Sequence, residues 1–233
     1  MLVKDIEKVI QLSAQSGWGY GGMALSSRAI THLCRRLEDR DEPYHILELG
    51  GGQSTLFWNE LLNSELLPLR VTTLEHHHEW AKVLSDRVEN SDHIRIFPQT
   101  LKQISDREWE EIFTTQDQFL TLWKSSGKPV SVQDYDLFTI RNTFYAEVGD
   151  LPLKEKSIDV MIVDGPHGNG RSLAYPLFRN VLKPNALILV DDFDHYPFLQ
   201  DLQRVFSYEE IYREILGQER WTLVQIKEEK GEM

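Results

Sequence analysis

The stretch HILELGGGQST, His45 to Thr55, decides the fold. His45 to Leu49 is a short apolar run that stops at glycine, the signature of a buried strand. Gly50, Gly51 and Gly52 follow, and a helix is expected from Ser54 to Leu66. A strand running through glycines into a helix makes a tight turn at the strand's carboxyl end. Backbone there lets a ligand approach closely, and the helix start offers free N–H groups.

The same alternation extends outward. RVTTLE (Arg70–Glu75) reads as a strand, Trp80 to Val88 as a helix and HIRIF (His93–Phe97) as a third strand. Later come IDVMIVDG (Ile158–Gly165), a helix near Ser172–Leu182, ALILVDD (Ala186–Asp192) and a helix near Phe198–Phe206. EEIYREI and RWTLVQIK close the chain as a strand pair joined through Gly217. Ahead of His45, Ile6, Val9, Ile10 and Leu12 mark one helix, while Ile30, Leu33 and Leu37 mark another; SGWGYGGM separates them. Strands alternating with helices predict an α/β fold: a Rossmann-like, mostly parallel seven-stranded sheet, helices on both faces and an antiparallel edge strand. Ligands in such sheets sit beyond the strands' carboxyl ends, near the switch in strand order. Function is therefore expected at Glu48–Thr55, Glu75, Asp164–Arg171 and Asp191–His195.

The chain reads as one domain, 1–233, with N-terminal helices and a glycine-rich loop over 1–40 and a helical insertion over 100–143. In that insertion Ile104, Trp109, Ile112, Phe113, Leu120 and Trp123 suit an apolar stripe on a long helix stopped at SSGKP. It either packs on its own domain, caps an acceptor pocket or forms a homodimer surface. The 233 residues carry a net charge of −12, and no basic cluster is longer than CRRLEDR, itself interleaved with acids. That balance argues against a nucleic-acid partner, whose phosphates reward a basic face. No apolar run approaches the roughly 20 residues of a membrane span, and the N-terminus lacks a continuous signal-peptide core. Cys34 is the single cysteine and has no intramolecular partner. A cytoplasmic protein is the expectation.

LELGGGQST resembles the first motif of class I S-adenosylmethionine-dependent methyltransferases, an acid followed by G-x-G. The resemblance implies that the backbone of Gly50, Gly51, Gly52 and Ser54 lies against the cofactor's methionine moiety and that Glu48 sits near its ammonium group. It also implies that Glu75, at the end of the second strand, holds the ribose hydroxyls. A carboxylate suits a vicinal diol because its lone pairs accept from both hydroxyls. A dinucleotide fingerprint would want glycine or alanine at Thr55, so an NAD(P)-dependent oxidoreductase is a weaker reading. A binding protein that keeps the cofactor pocket without transferring methyl is a third.

In the second half, Asp164, Asp191 and Asp192 directly follow apolar strands, so they should meet at one sheet edge. Clustered carboxylates repel unless a cation compensates, and their oxygens suit Mg²⁺ or another divalent cation. The arrangement is similar to metal-assisted O-methyltransferases of the catechol and macrocin types, which implies Asp164, Asp191 and Asp192 as metal ligands. The D-G-P-x-G stretch before Arg171 also resembles glucuronoxylan O-methyltransferases, whose acceptor is a sugar acid. His167, beside Asp164, is a candidate catalytic base; His195 is a second. Arg171 either orients an anionic acceptor or pairs with an aspartate. Together these suggest O-methylation of a small hydroxylated molecule or saccharide. The run His76–His78 is the start of a helix rather than a zinc site, because adjacent residues on a regular element cannot aim at one ion; His76 is the one expected near the cofactor's adenine.

Overall fold

The computed structural model describes residues 3–115, 117–135, 139–217 and 219–229. In chain order its elements are α1 (Val3–Ser16), α2 (Ser27–Cys34), β1 (Tyr44–Leu49), α3 (Gln53–Asn63), β2 (Leu69–Glu75), α4 (His78–Arg87) and β3 (Ile94–Pro98). An insertion carries β4 (Leu101–Gln103), α5 (Asp106–Thr114), α6 (Phe119–Ser125), β5 (Lys128–Pro129) and β6 (Thr143–Tyr145). The remainder is β7 (Ile158–Val163), α7 (Ala174–Phe178), β8 (Leu182–Asp191), α8 (Phe198–Val205), β9 (Phe206–Leu216) and β10 (Glu219–Glu229).

Seven strands form one sheet in the order β3-β2-β1-β7-β8-β10-β9. The pairs from β3 to β8 are parallel, and β10 runs antiparallel to both β8 and β9. The antiparallel strand thus lies one place in from the edge, inserted between β8 and β9. The order reverses between β1 and β7, so the crevice of this fold opens where Gly50 and Gly165 end those strands.

Strand alternation splits the interior into two layers. Ile46, Val71, Val160, Ile162 and Leu189 face α1, α2 and α3, packing with Ile6, Val9, Ile30, Leu33, Phe57 and Trp58. Leu47, Leu49, Leu74, Met161, Val163 and Val190 face the other way, onto Trp109, Phe119, Trp123, Tyr145, Tyr175 and Phe198. By the same alternation Glu48 shares the face of Ile46, which is the α3 side.

The expected long helix over 104–123 is two short ones. α5 starts at a capping box between Ser105 and Glu108 and stops at Thr115; α6 begins at Phe119. β4 pairs with β5 and β6 in a small antiparallel sheet. Of the insertion, residues 116 and 136–138 lie outside the described residues. The helix expected near Ser172–Leu182 is also shorter, a 3₁₀ turn (Asn169–Leu173) leading into α7 and a second 3₁₀ turn (Arg179–Val181). Among the described residues no helix is long and apolar enough to cross a membrane.

Candidate cofactor and acceptor site

The loop after β1 and the loop after β7 meet back to back. A methyl on Gly50, whose φ is +92°, would stand 3.0 Å from the Gly165 nitrogen; one on Gly165 would stand 2.9 Å from the Gly50 α-carbon. Only hydrogen fits between them. Gly51 is equally closed, with Leu84 and Thr73 at 2.8 and 2.9 Å from where a Cβ would be. Gly52 differs: nothing lies within 4 Å of that position. The open surface of the turn is therefore at Gly52, directly before the first turn of α3, where main-chain N–H groups have no helical partner. A carboxylate-bearing ligand is suited to that position.

Glu48 does not line this crevice. Its carboxylate is fully buried and accepts from Thr55 Oγ1 at 2.6 Å, Thr73 Oγ1 at 2.8 Å and Trp58 Nε1 at 3.2 Å, with Ser54 hydroxyl a further donor. Thr55 Oγ1 also accepts from the Gly52 amide at 3.1 Å. Burial pushes the Glu48 carboxyl above its ordinary range, and these hydrogen bonds pull against that. Held by these donors on the α3 side, Glu48 braces the glycine turn from beneath. Thr55, at the third-glycine position of the dinucleotide pattern, is the link in that brace.

Glu75 ends β2 at the mouth of the crevice. One oxygen accepts from the Gly51 amide at 3.0 Å and the other from the His77 amide at 2.7 Å. Burial raises its carboxyl, and hydrogen bonds from the His77, Gly51 and His76 amides oppose the rise. A carboxylate offers about four acceptor positions, so these amides leave capacity for a further hydroxyl donor. His76 Nδ1 stands 3.2 Å from Glu75. The three histidines separate: His76 is buried, His77 caps α4 and His78 is exposed in its first turn. The His76 ring packs with His77, Tyr135, Tyr145 and His167, the last at 6.2 Å between centroids.

Parallel register sets Val163 opposite Val190, so the next residues, Asp164 and Asp191, stand side by side and hydrogen-bond through their carboxyls. Burial, then Asp164 and Asp192, push Asp191 up to about 8. Arg171 lies buried against the pair. Its Nε donates to Pro166 O at 2.9 Å, Nη1 to Asp191 O at 3.4 Å, and Nη2 is 3.8 Å from Asp164 Oδ1. Asp192 leaves the pair: at φ +49° its carboxylate lies 3.5 Å from His195 Nδ1. Among the described residues no three of His, Cys, Asp and Glu converge as a metal-holding group. Asp164 and Asp191 share a hydrogen bond beside the Arg171 guanidinium, and Asp192 turns toward His195.

The sequence reading also passed over three contributors. Trp80 Nε1 donates to Gly51 O at 2.8 Å. Tyr145, from the insertion, donates to Leu74 O at 3.2 Å, and its hydroxyl stands 3.0 Å from where a Gly165 Cβ would be. Gln53 reaches the N-terminal segment. Its position next to Gly52 was the available signal; nothing local pointed to Tyr145.

Residues 47–193, more than half of the chain, match the family model described as a methyltransferase domain. The chain belongs to that family and is an S-adenosylmethionine-dependent methyltransferase. Among solved structures, an S-adenosylmethionine-dependent O-methyltransferase from Thermotoga maritima is similar with a TM-score of 0.50 at 10% identity, over 91% of this chain and 69% of that one. The O-methyltransferase TomG from Streptomyces achromogenes, in complex with SAM, gives 0.48 at 16% identity over 94% and 90%. Among curated protein sequences none matches.

Proposed function

We propose that the chain methylates an oxygen of a small hydroxylated molecule or saccharide, with His167 as the general base. The observation that carries this reading is the convergence of His167, Glu75, His76 and Arg171 at the mouth of the β1–β7 crevice, with the His167 ring 6.2 Å from that of His76. The cofactor fits the residues present: Gly52 offers an open backbone face, α3 offers amides for a carboxylate and Glu75 keeps acceptor capacity for a ribose hydroxyl. When bound, S-adenosylmethionine supplies an activated methyl group. The chain's own task is alignment, which can contribute on the order of 7–11 kcal/mol. His167 takes the hydroxyl proton at its imidazole nitrogen, a role open to an imidazole because its neutral ring carries one free acceptor nitrogen. Arg171 holds the aspartate pair in place beside the crevice.

The experiment offers small phenols, catechols, hydroxylated sugars and sugar acids with labelled cofactor, then locates the transferred methyl by NMR. Transfer to oxygen is expected. His167→Gln should lower turnover roughly 10²–10⁴-fold while S-adenosylhomocysteine affinity holds. Methylation at nitrogen or carbon, or undiminished turnover in His167→Gln, overturns the reading.

A further inference from the structure

Gln53 is the first residue of α3, buried and pointed away from the helix, toward the N-terminal segment. Its Oε1 accepts from the Trp18 amide at 2.7 Å and the Gly19 amide at 3.0 Å; its Nε2 donates to Ser13 O at 2.8 Å. One carboxamide thus ties the end of α1 to the loop that follows. The contact leaves no space at Gly17, where a Cβ would lie 2.1 Å from Gln53 Oε1.

A second attachment lies on the other side of the glycine turn. The half-exposed Trp18 ring packs on Trp80 at 4.2 Å between centroids, and Arg87 lies 4.1 Å above Trp18. Trp80 is itself bonded to Gly51 O. Arg87 Nη1 donates to Ser16 O at 3.1 Å. The segment is therefore pinned to Gly51 through Trp80 and to the residue after Gly52 through Gln53, bracketing the open glycine. Beyond the pins, Gly19, Gly21 and Gly22 all adopt positive φ with no atom within 4 Å of a Cβ position, so the chain turns there without side chains wedging it.

We propose that Gln53 is a positioning residue, a latch that holds the segment Ser13–Met23 closed beside the cofactor loop, and that latching and cofactor affinity are coupled. The proposal rests on the methyltransferase reading of the crevice. A segment held in place before binding lowers the ordering cost at binding. Gln53 acts on the cofactor only through the segment and the start of α3.

The test measures S-adenosylhomocysteine binding by calorimetry together with amide hydrogen exchange at Trp18 and Gly19. In the unaltered protein both amides are protected and gain protection with ligand. Gln53→Ala should accelerate their exchange and raise the dissociation constant roughly tenfold or more, with KM for the cofactor rising far more than kcat falls. Gly17→Ala forces the segment off the carboxamide while Gln53 is kept, and Trp18→Ala removes the second pin. Both should weaken binding in the same direction, which keeps the proposal testable if Gln53→Ala fails to fold. Lost protection with unchanged affinity, or retained protection in Gln53→Ala, overturns the latch. Absence of binding by the unaltered protein instead overturns the crevice's assignment to this cofactor.

Discussion

Asp191 shows how much one register position determines. The next residue beyond the β7–β8 ladder puts it against Asp164, and burial with that neighbour raises its carboxyl to about 8. An unfolded aspartate titrates near 3.8. Between those values the folded chain holds a proton that the unfolded chain has released, so stability falls as pH rises. Asp191→Asn removes that titration. Urea unfolding at about pH 5 and about pH 8 should show a smaller loss of stability in the variant than in the parent. An equal loss in both would place the proton elsewhere. Asp192, one residue on, acts on the pair through its charge, while its left-handed backbone carries the carboxylate toward His195. Adjacent aspartates in the sequence looked alike; their backbone conformations separate them.

At the scale of elements, the insertion between β3 and β7 is where periodicity misled. The apolar residues from Ile104 to Trp123 do have helical spacing, yet α5 ends at Thr114 and a separate α6 begins at Phe119. Trp123 is 1% exposed and donates to Tyr145 O and Ala146 O, so α6 is docked on β6. Leu120 is 40% exposed. Trp123→Ala should therefore cost about 3–5 kcal/mol, and Leu120→Ser less than about 0.5 kcal/mol, both read from denaturant midpoints. Similar costs would mean that the stripe packs as one helix after all. The same docking sets β6 so that the Tyr145 hydroxyl lies against the glycine turns.

Taken as a whole molecule, the chain covers its sheet with helices from both ends of the sequence. Ile6 and Val9 of α1 are 1% exposed, and Ser13 is fully buried. Removing residues 1–16 uncovers that layer, at about 1.5–3 kcal/mol for each fully buried aliphatic side chain. The truncated protein should unfold at a distinctly lower denaturant concentration than the parent. An unchanged midpoint would show that α1 is peripheral to the folded core.

The sequence by itself determined the alternation of strands and helices, the glycine turn at 50–52 and the acid ending β2, because each is a local pattern. Hydrophobic period, glycine and chain direction decide it within about ten residues. Only the tertiary structure decided that β7 lies against β1, that β10 enters between β8 and β9, and that Gly50 and Gly165 meet. The meetings of β7 with β1 and of Gly165 with Gly50 cross more than 100 residues of chain, and the place of β10 depends on its pairing with β8 and β9. They also decided the fate of the aspartates. Whether three carboxylates converge depends on where each strand ends relative to its neighbour, which residue spacing along one chain does not specify. Gln53 belongs to the same category: its partners lie 34 to 40 residues away, and only packing of α1 against α3 brings them within hydrogen-bond reach.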